Sequence, residues 1–468
     1  MIESTRVQLL RRTDAIQRQG SREFKMLVFV SLLHLPLGIA IYSMGSLALL
    51  HPYAALAVGL YWAASKKYSL ERVAFAIAYI VGAEVLWRMA AVPVFWEFGK
   101  YASALIAVVA LVRRSHLQVP AMPLLYFAFL IPACVLTLFQ FDFAASRAIL
   151  SFQMSGPLLL MTACWLFSKT KFTSEKLRLL LLAILVPVFS VAFATLFFTV
   201  TSEEIQFTGE SNFATSGGFG PNQVSSMLGL GAFAALACLL VFKNSARYRV
   251  YLLLAAVFFS VQSVMTFSRG GIFNAIGAII VIVIIEFQRP SIAAKRLLPI
   301  VGLVIIFFGL LLPFMDDFTD GRLTARFQDI GTTNRAEIAE SDLYLFLENP
   351  FLGVGVGNSG DSRAELVGHT AVSHTEFSRL LSEHGMFGAA ALILLVAMGY
   401  MNFKRQKTVM GRAFVAGAAV WCCLFMTNAG MRMAAPSFMW GLTFVTIVAG
   451  KRVFALKYKA KEDRKQNA

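Results

Sequence analysis

His374, Arg269 and Arg335 are the side chains of this 468-residue chain best suited to chemistry. An imidazole titrates near neutral pH and is a usable general base. His374 opens His374-Thr375-Glu376-Phe377, which runs on into Glu383-His384-Gly385-Met386-Phe387-Gly388. Arg269 lies in Thr266-Phe267-Ser268-Arg269-Gly270-Gly271, between two apolar runs. The glycines allow close backbone approach and leave the guanidinium accessible. Its planar fork of donors suits a phosphate, although a cation at a hydrophobic boundary also snorkels to lipid headgroups. Arg335 follows Asn334, which can cap a helix with Glu337 three residues on, and Ala339, Leu343, Phe346 and Leu347 continue an apolar stripe. A cation at a helix start opposes the macrodipole unless an anion is near. Arg322 and Arg326 lie close by, with Arg326 the third phosphate candidate.

Other constellations have plainer readings. His369 and His384 neighbour His374, but the His369–His374 spacing does not share a helix face and no Cys supports the cluster, so no metal site is expected. Asp316-Asp317-Phe318-Thr319-Asp320 could bind a hard cation, yet reads more simply as a solvated turn closing a span. Gly355-Val356-Gly357-Asn358-Ser359-Gly360 fits the dinucleotide pattern without a βαβ unit around it, so Gly355, Gly357 and Gly360 are read as shaping a tight loop. Glu84 and Arg88, four residues apart in one span, suit a buried pair, which is as compatible with structure as with function.

The elements that position these residues are membrane spans. The chain is 58% hydrophobic and 15% charged, with mean hydropathy +0.69. That composition is polytopic rather than soluble. The expected organisation is a cytosolic basic arm at 1–25, eleven spans over 26–315, a large outer loop at 316–380, three spans over 381–450 and a cytosolic basic tail at 451–468. The arm has no apolar core and is not read as a cleavable signal. The fold class expected is therefore an all-α polytopic membrane protein with about 14 transmembrane helices and a structured outer loop. With the N-terminus inside, the cytosolic segments hold about 32 of the 42 Lys and Arg, the positive-inside pattern. The net charge of +16 is thus topology and contact with anionic lipid. No basic-aromatic module accompanies it, so nucleic acid is not an expected partner. All five Cys fall inside spans, leaving no disulfide for the loop.

Three groups of residues resemble the O-antigen ligase and Wzy-type O-antigen polymerase superfamily. Gly218-Phe219-Gly220-Pro221-Asn222 is similar to its Gly-Phe-x-x-Asn start of a span, and Ser268-Arg269-Gly270 to its Ser-Arg-Gly motif. Asn334-Arg335, Asn349-Pro350-x-x-Gly353-Val354-Gly355, His374 and Glu383-x-Gly385-x-x-Gly388 are similar to its large outer loop. The likeness runs from about Gly217 to Pro436. It departs in Ala214-Thr215-Ser216, where an Arg is frequent, and at Thr375, where Asn is. The resemblance implies a GT-C-like glycosyltransferase of the bacterial inner membrane, with both termini cytoplasmic and the site periplasmic or extracellular. It implies inverting, metal- and cofactor-independent transfer of a glycan from undecaprenyl diphosphate. Arg269 and Arg335, with Arg326, would hold the diphosphate and His374 would be the general base. Glu376, Glu383, Asn222, Gly353 and Gly355 would support them. Expected partners are the lipid-linked donor, a glycan or lipid A-core acceptor, membrane lipid, a flippase and a chain-length regulator. Polymerisation of O-antigen or exopolysaccharide repeats is the leading expectation, ligation to lipid A-core the first alternative and a lipid-linked-oligosaccharide flippase the second. A transporter, however, concentrates polar residues at mid-membrane in repeated halves; here they gather in one unrepeated loop.

Overall fold

The computed structural model describes residues 2–115, 118–329, 335–367, 373–428 and 431–448. Asn334, His369 and the tail 451–468 lie outside them. The chain folds as an assembly of helices: α1 (Ile2–Ser43), α2 (Gly45–Ala64), α3 (Leu70–Met89), α4 (Phe98–Arg113), α5 (Ala121–Phe129), α6 (Ile131–Gln140), α7 (Phe143–Ser168) and α8 (Ser174–Thr201). After a connection containing the Gly217–Gly220 turn come α9 (Pro221–Val241), α10 (Ala246–Met265), α11 (Gly270–Glu286) and α12 (Pro290–Ile306). A π-turn at Phe307–Leu311 joins α12 to α13 (Leu312–Phe318). The loop region carries α14 (Arg322–Gln328), α15 (Arg335–Glu348) and α16 (Ser359–Val367), and the chain then returns through α17 (Glu376–Arg405), α18 (Val409–Asn428) and α19 (Ala434–Leu442).

Among the described residues ten helical stretches, counting α5 with α6 and α12 with α13, are long and apolar enough to cross a membrane, and α11 is a shorter apolar one. The molecule is a multi-pass helical membrane protein. The stretch Ala293–Phe318 is only 6% buried along its most apolar window, and Ile305, Phe308 and Leu310 point outward. Such a surface suits a lipid environment rather than water. By contrast α9 is 94% buried and forms the centre, packed by α10, α11 and α8. Small residues set that packing: a side chain at Gly271 would overlap the backbone of Ser225, and one at Gly229 the backbone of Gly271.

The last apolar run departs from the sequence reading. Residues 433–450 read as one span, but the helix stops at Leu442, and Thr446–Val448 pairs in parallel with Lys171–Thr173. Nine helical residues rise about 14 Å, roughly half a bilayer core. β-Branched Thr446, Ile447 and Val448 suit a strand, and a fully apolar run does not distinguish the two by periodicity.

Candidate active site

The two motifs nearest the bundle end meet directly. Ser268 Oγ donates to Asn222 Oδ1 at 2.7 Å, and Ser225 Oγ donates to the Ser268 carbonyl at 2.8 Å. Phe267 takes a left-handed conformation (φ 58°), fully buried and stacked on Phe207. This turn sets Arg269 at the N-terminus of α11, where it donates to the Asp329 carbonyl. Arg326, on α14, is buried and donates to the Phe267 carbonyl at 3.4 Å, with Glu210 and Asp329 each 3.8 Å away.

Arg269, Arg326 and Arg335 line one cavity of about 570 Å³, together with Asn222, Ser268 and Thr375. The first residues of α9, α11 and α15 all contribute to its wall. Helix N-termini bring unpaired N–H groups and partial positive charge to the same space as the guanidiniums. Arg335 is half-buried and has no carboxylate partner among the described residues. Burial, and then the Arg269 and Arg326 charges, hold its pKa below the ordinary value. Three guanidiniums and three helix starts outnumber the one carboxylate in the lining, Asp329, which leaves the space net positive and suited to an anion.

His374 adjoins this cavity through Thr375, whose side chain caps α17 by accepting from Ser378 N at 3.1 Å. On its other side Ser373 is buried and donates to Asp342 Oδ1 at 3.0 Å. Asp342 also pairs with Arg363 and accepts from Ser378 Oγ at 2.6 Å. The backbone carrying His374 is thus pinned on both sides while its ring stays half-buried. Burial first, then the Arg335, Arg432 and Arg363 charges, lower its pKa below 6.5. A neutral imidazole beside cations is a base ready at neutral pH.

Glu376 and Glu383 do not orient that ring. Both carboxylates bind Arg379, at 2.5 and 3.0 Å from Glu376 and 2.6 Å from Glu383. Glu376 also accepts from Met431 N at 3.2 Å, and Glu383 from Ser359 Oγ at 3.0 Å. Their geometry is that of a buried brace: a fully desolvated guanidinium requires two acceptors more than a half-buried imidazole requires one. His384 is fully buried near Leu130 and Arg379 and does not line the arginine cavity, and no cluster of three His, Cys, Asp or Glu with metal-site geometry occurs among the described residues.

Gly353 and Gly355 both take positive φ, 70° and 95°. They dock the loop onto a break in α17 at Gly385 (φ 57°, ψ −138°). The break frees carbonyls that the loop satisfies: Val354 N donates to Ser382 O at 2.9 Å and Gly355 N to Glu383 O at 3.2 Å, while Met386 N donates to Pro350 O at 2.7 Å. A Cβ on Gly353 would lie 2.5 Å from Ser382 O. The loop-shaping reading of Gly355 fits this geometry, and Gly353 adopts the same kind of turn.

Arg432 is a residue that motif reasoning passed over. Its half-buried guanidinium donates to Ser373 O at 3.4 Å and acts on His374. Three buried charges hold its backbone: Arg88 donates to Arg432 O at 2.8 Å, Glu84 accepts from Ala434 N at 2.6 Å, and Glu376 accepts from Met431 N. The Glu84–Arg88 pair, 2.7 Å apart and buried, is therefore also a clamp on this turn. The available signal was a lone cation on the side of the membrane that positive-inside counting leaves poor in them.

Residues 254–393 match the model of a family described as "Wzy_C: O-Antigen ligase". The match contains Ser268-Arg269-Gly270, Arg335, the Gly353–Gly355 loop and His374, and supports assignment to the O-antigen ligase and polymerase superfamily. The class defined by fold and family is a multi-pass membrane protein of O-antigen ligase/polymerase-type glycan transfer. No curated protein matches the chain. Among solved structures, a chain from "Structural coordination of polymerization and crosslinking by a peptidoglycan synthase complex" overlaps at TM-score 0.37 and 16% identity, covering 70% of this chain and 97% of that one. A likeness of that size carries no functional argument.

Proposed function

We propose that the protein transfers a glycan from undecaprenyl diphosphate to an acceptor sugar hydroxyl at the outer face of the bacterial inner membrane, polymerising O-antigen or exopolysaccharide repeats. The observation that carries this is the Arg269–Arg326–Arg335 cavity with a lowered-pKa histidine beside it. His374 accepts the proton of the acceptor hydroxyl as the oxygen bonds to the anomeric carbon. The glycosidic C–O bond to the diphosphate breaks and its electron pair leaves with the phosphate oxygen. Charge grows there, and fixed guanidiniums and helix N-termini stabilise it without reorganising. Attack opposite the leaving group inverts the anomeric centre. In this reading the cavity faces the periplasm or exterior, and the chain crosses fourteen times. That count requires α3, α4, α11 and the broken α19 segment to cross as well. α3 is suited to this because Glu84 and Arg88 are sheltered within the protein.

Ligation to lipid A-core uses the same donor chemistry and differs only in acceptor. The test is deletion of the gene in its host, followed by sizing of the lipid-linked glycan. Single repeats without long polymer are expected. Long polymer stranded on the carrier identifies a ligase. Repeats confined to the cytosolic leaflet identify a flippase and overturn the catalytic reading.

A further inference from the structure

A second, smaller cavity of about 230 Å³ lies beside the Arg432 turn, lined by Glu84, Arg88, Phe95, Trp96, Phe98 and Gly99 among others. It is below the usual range for drug-sized ligands, roughly 300–1,000 Å³, and suits one ring. Its wall combines ring faces with ionised groups. Trp96 is 44% exposed and Phe95 54%, and the Arg88 guanidinium lies 4.9 Å over the Trp96 ring. Arg88 is itself buried, and its Nε–H has no hydrogen-bond partner among the described residues. A buried donor left unsatisfied is costly unless a ligand or water takes it up. A Cβ on Gly99 would approach Glu84 to 2.9 Å, so only glycine lets α4 close this wall against the carboxylate.

Partly exposed aromatic rings beside a carboxylate and a guanidinium suit a sugar. The C–H face of a pyranose packs on a ring, and its equatorial hydroxyls bond the charged groups. A lipid tail has no use for Glu84 and Arg88, and a phosphate would be repelled by Glu84. Position completes the argument. Arg88 Nη1 bonds both Gln223 Oε1, at 2.7 Å, and the carbonyl of Arg432. Gln223 follows Asn222 of the arginine cavity, and Arg432 stands beside His374.

We propose that this pocket is the acceptor subsite, holding one pyranose ring of the acceptor glycan on Trp96 with a hydroxyl on the Arg88 Nε–H, the other four N–H groups of that guanidinium being taken by Gln223, Glu84 and the Arg432 and Trp96 carbonyls. The proposal rests on the glycosyl-transfer reading, but binding is measurable without turnover. The protein in nanodiscs is mixed with methyl glycosides of the common hexoses and N-acetylhexosamines, and saturation transfer from protein to sugar is read by NMR. At least one glycoside is expected to receive saturation on its ring C–H protons. Trp96→Leu should weaken that binding about tenfold and Trp96→Phe much less, the difference a ring contact makes. Arg335→Ala should leave it unchanged. No transfer to any glycoside, or equal transfer in Trp96→Leu, overturns the proposal. Repeats confined to the cytosolic leaflet of the deletion strain would instead overturn the transfer reading, with sugar binding at Trp96 still separately measured.

Discussion

Ser268 and Asn222, 46 residues apart, share one hydrogen bond of 2.7 Å. Through it the turn that carries Arg269 is anchored to the first turn of the central helix α9. The bond converts two short motifs, each weak alone, into one rigid side of the arginine cavity. Replacing Asn222 by Ala should therefore loosen Arg269 more than it destabilises the fold. One neutral hydrogen bond is worth about 1 kcal/mol, so turnover should fall roughly five- to tenfold with little change in thermal unfolding. A loss of folded protein in proportion to activity would assign Asn222 to stability alone.

Arg269→Ala and Arg335→Ala should each lower transfer by on the order of a hundred- to a thousandfold, the usual effect of removing one donor aimed at developing charge. Arg335→Lys should recover part of it, since charge is kept while the planar fork is lost. Single-turnover transfer from purified lipid-linked donor measures this directly. Near-normal rates in both alanine variants would exclude the cavity as the diphosphate site.

The pH profile follows from His374. A base must be neutral to act, so the acidic limb of kcat/KM should lie below the ordinary imidazole value of 6.5, the direction set by burial and neighbouring cations. Removing a cation relieves that depression: Arg335→Gln or Arg432→Gln should move the limb to higher pH. Bound donor diphosphate acts in the same sense, so the limb of kcat should lie above that of kcat/KM. An unchanged limb in both glutamine variants would mean another group titrates.

Gly353→Ala places a side chain against the Ser382 carbonyl at a residue with φ 70°. The combined clash and strain should cost on the order of 1–3 kcal/mol and undock the 350–355 loop. Thermal unfolding and proteolysis of that loop read the effect. Wild-type behaviour in both would show that the loop does not depend on this contact.

Arg363 and Asp342 form an ion pair with both side chains essentially inaccessible. Arg363→Met alone leaves a buried carboxylate uncompensated and should destabilise by about 3–5 kcal/mol. Adding Asp342→Leu should restore much of the loss. Equal stability of single and double variants would argue that solvent reaches Asp342.

Much of this arrangement could be read from residue order. Arg269, Arg335 and His374 are short-range signals, each at a helix start or in a polar break between apolar runs. The helix over Arg335–Glu348 follows from its apolar stripe, and the Glu84–Arg88 pair from its spacing. What could not be read is what these residues meet. Glu84 holds the backbone of Ala434 across 350 positions, and no local pattern encodes that. The same is true of Glu376, which the family resemblance casts as a supporting residue and which pairs with Arg379 in the structure. Arg432 went unnoticed because its position is defined by residues of α3 and α17 rather than by its own neighbours. The run 433–450 differs for another reason: hydropathy reports burial and not backbone geometry, so it does not show that the helix gives way to a strand after Leu442.

The break at Gly385 separates two mechanical tasks within one helix. Residues 386–405 present an apolar face outward, with Ile393, Val396 and Tyr400 exposed. A bilayer that thins or thickens acts on that portion through tilt. Residues 376–384 are tied instead to the 350–355 loop, to Asp342 and to the Met431 backbone. Tilting of the outer length is absorbed where the helical hydrogen bonds are already interrupted, so the position of His374 is insulated from the thickness of the membrane around it.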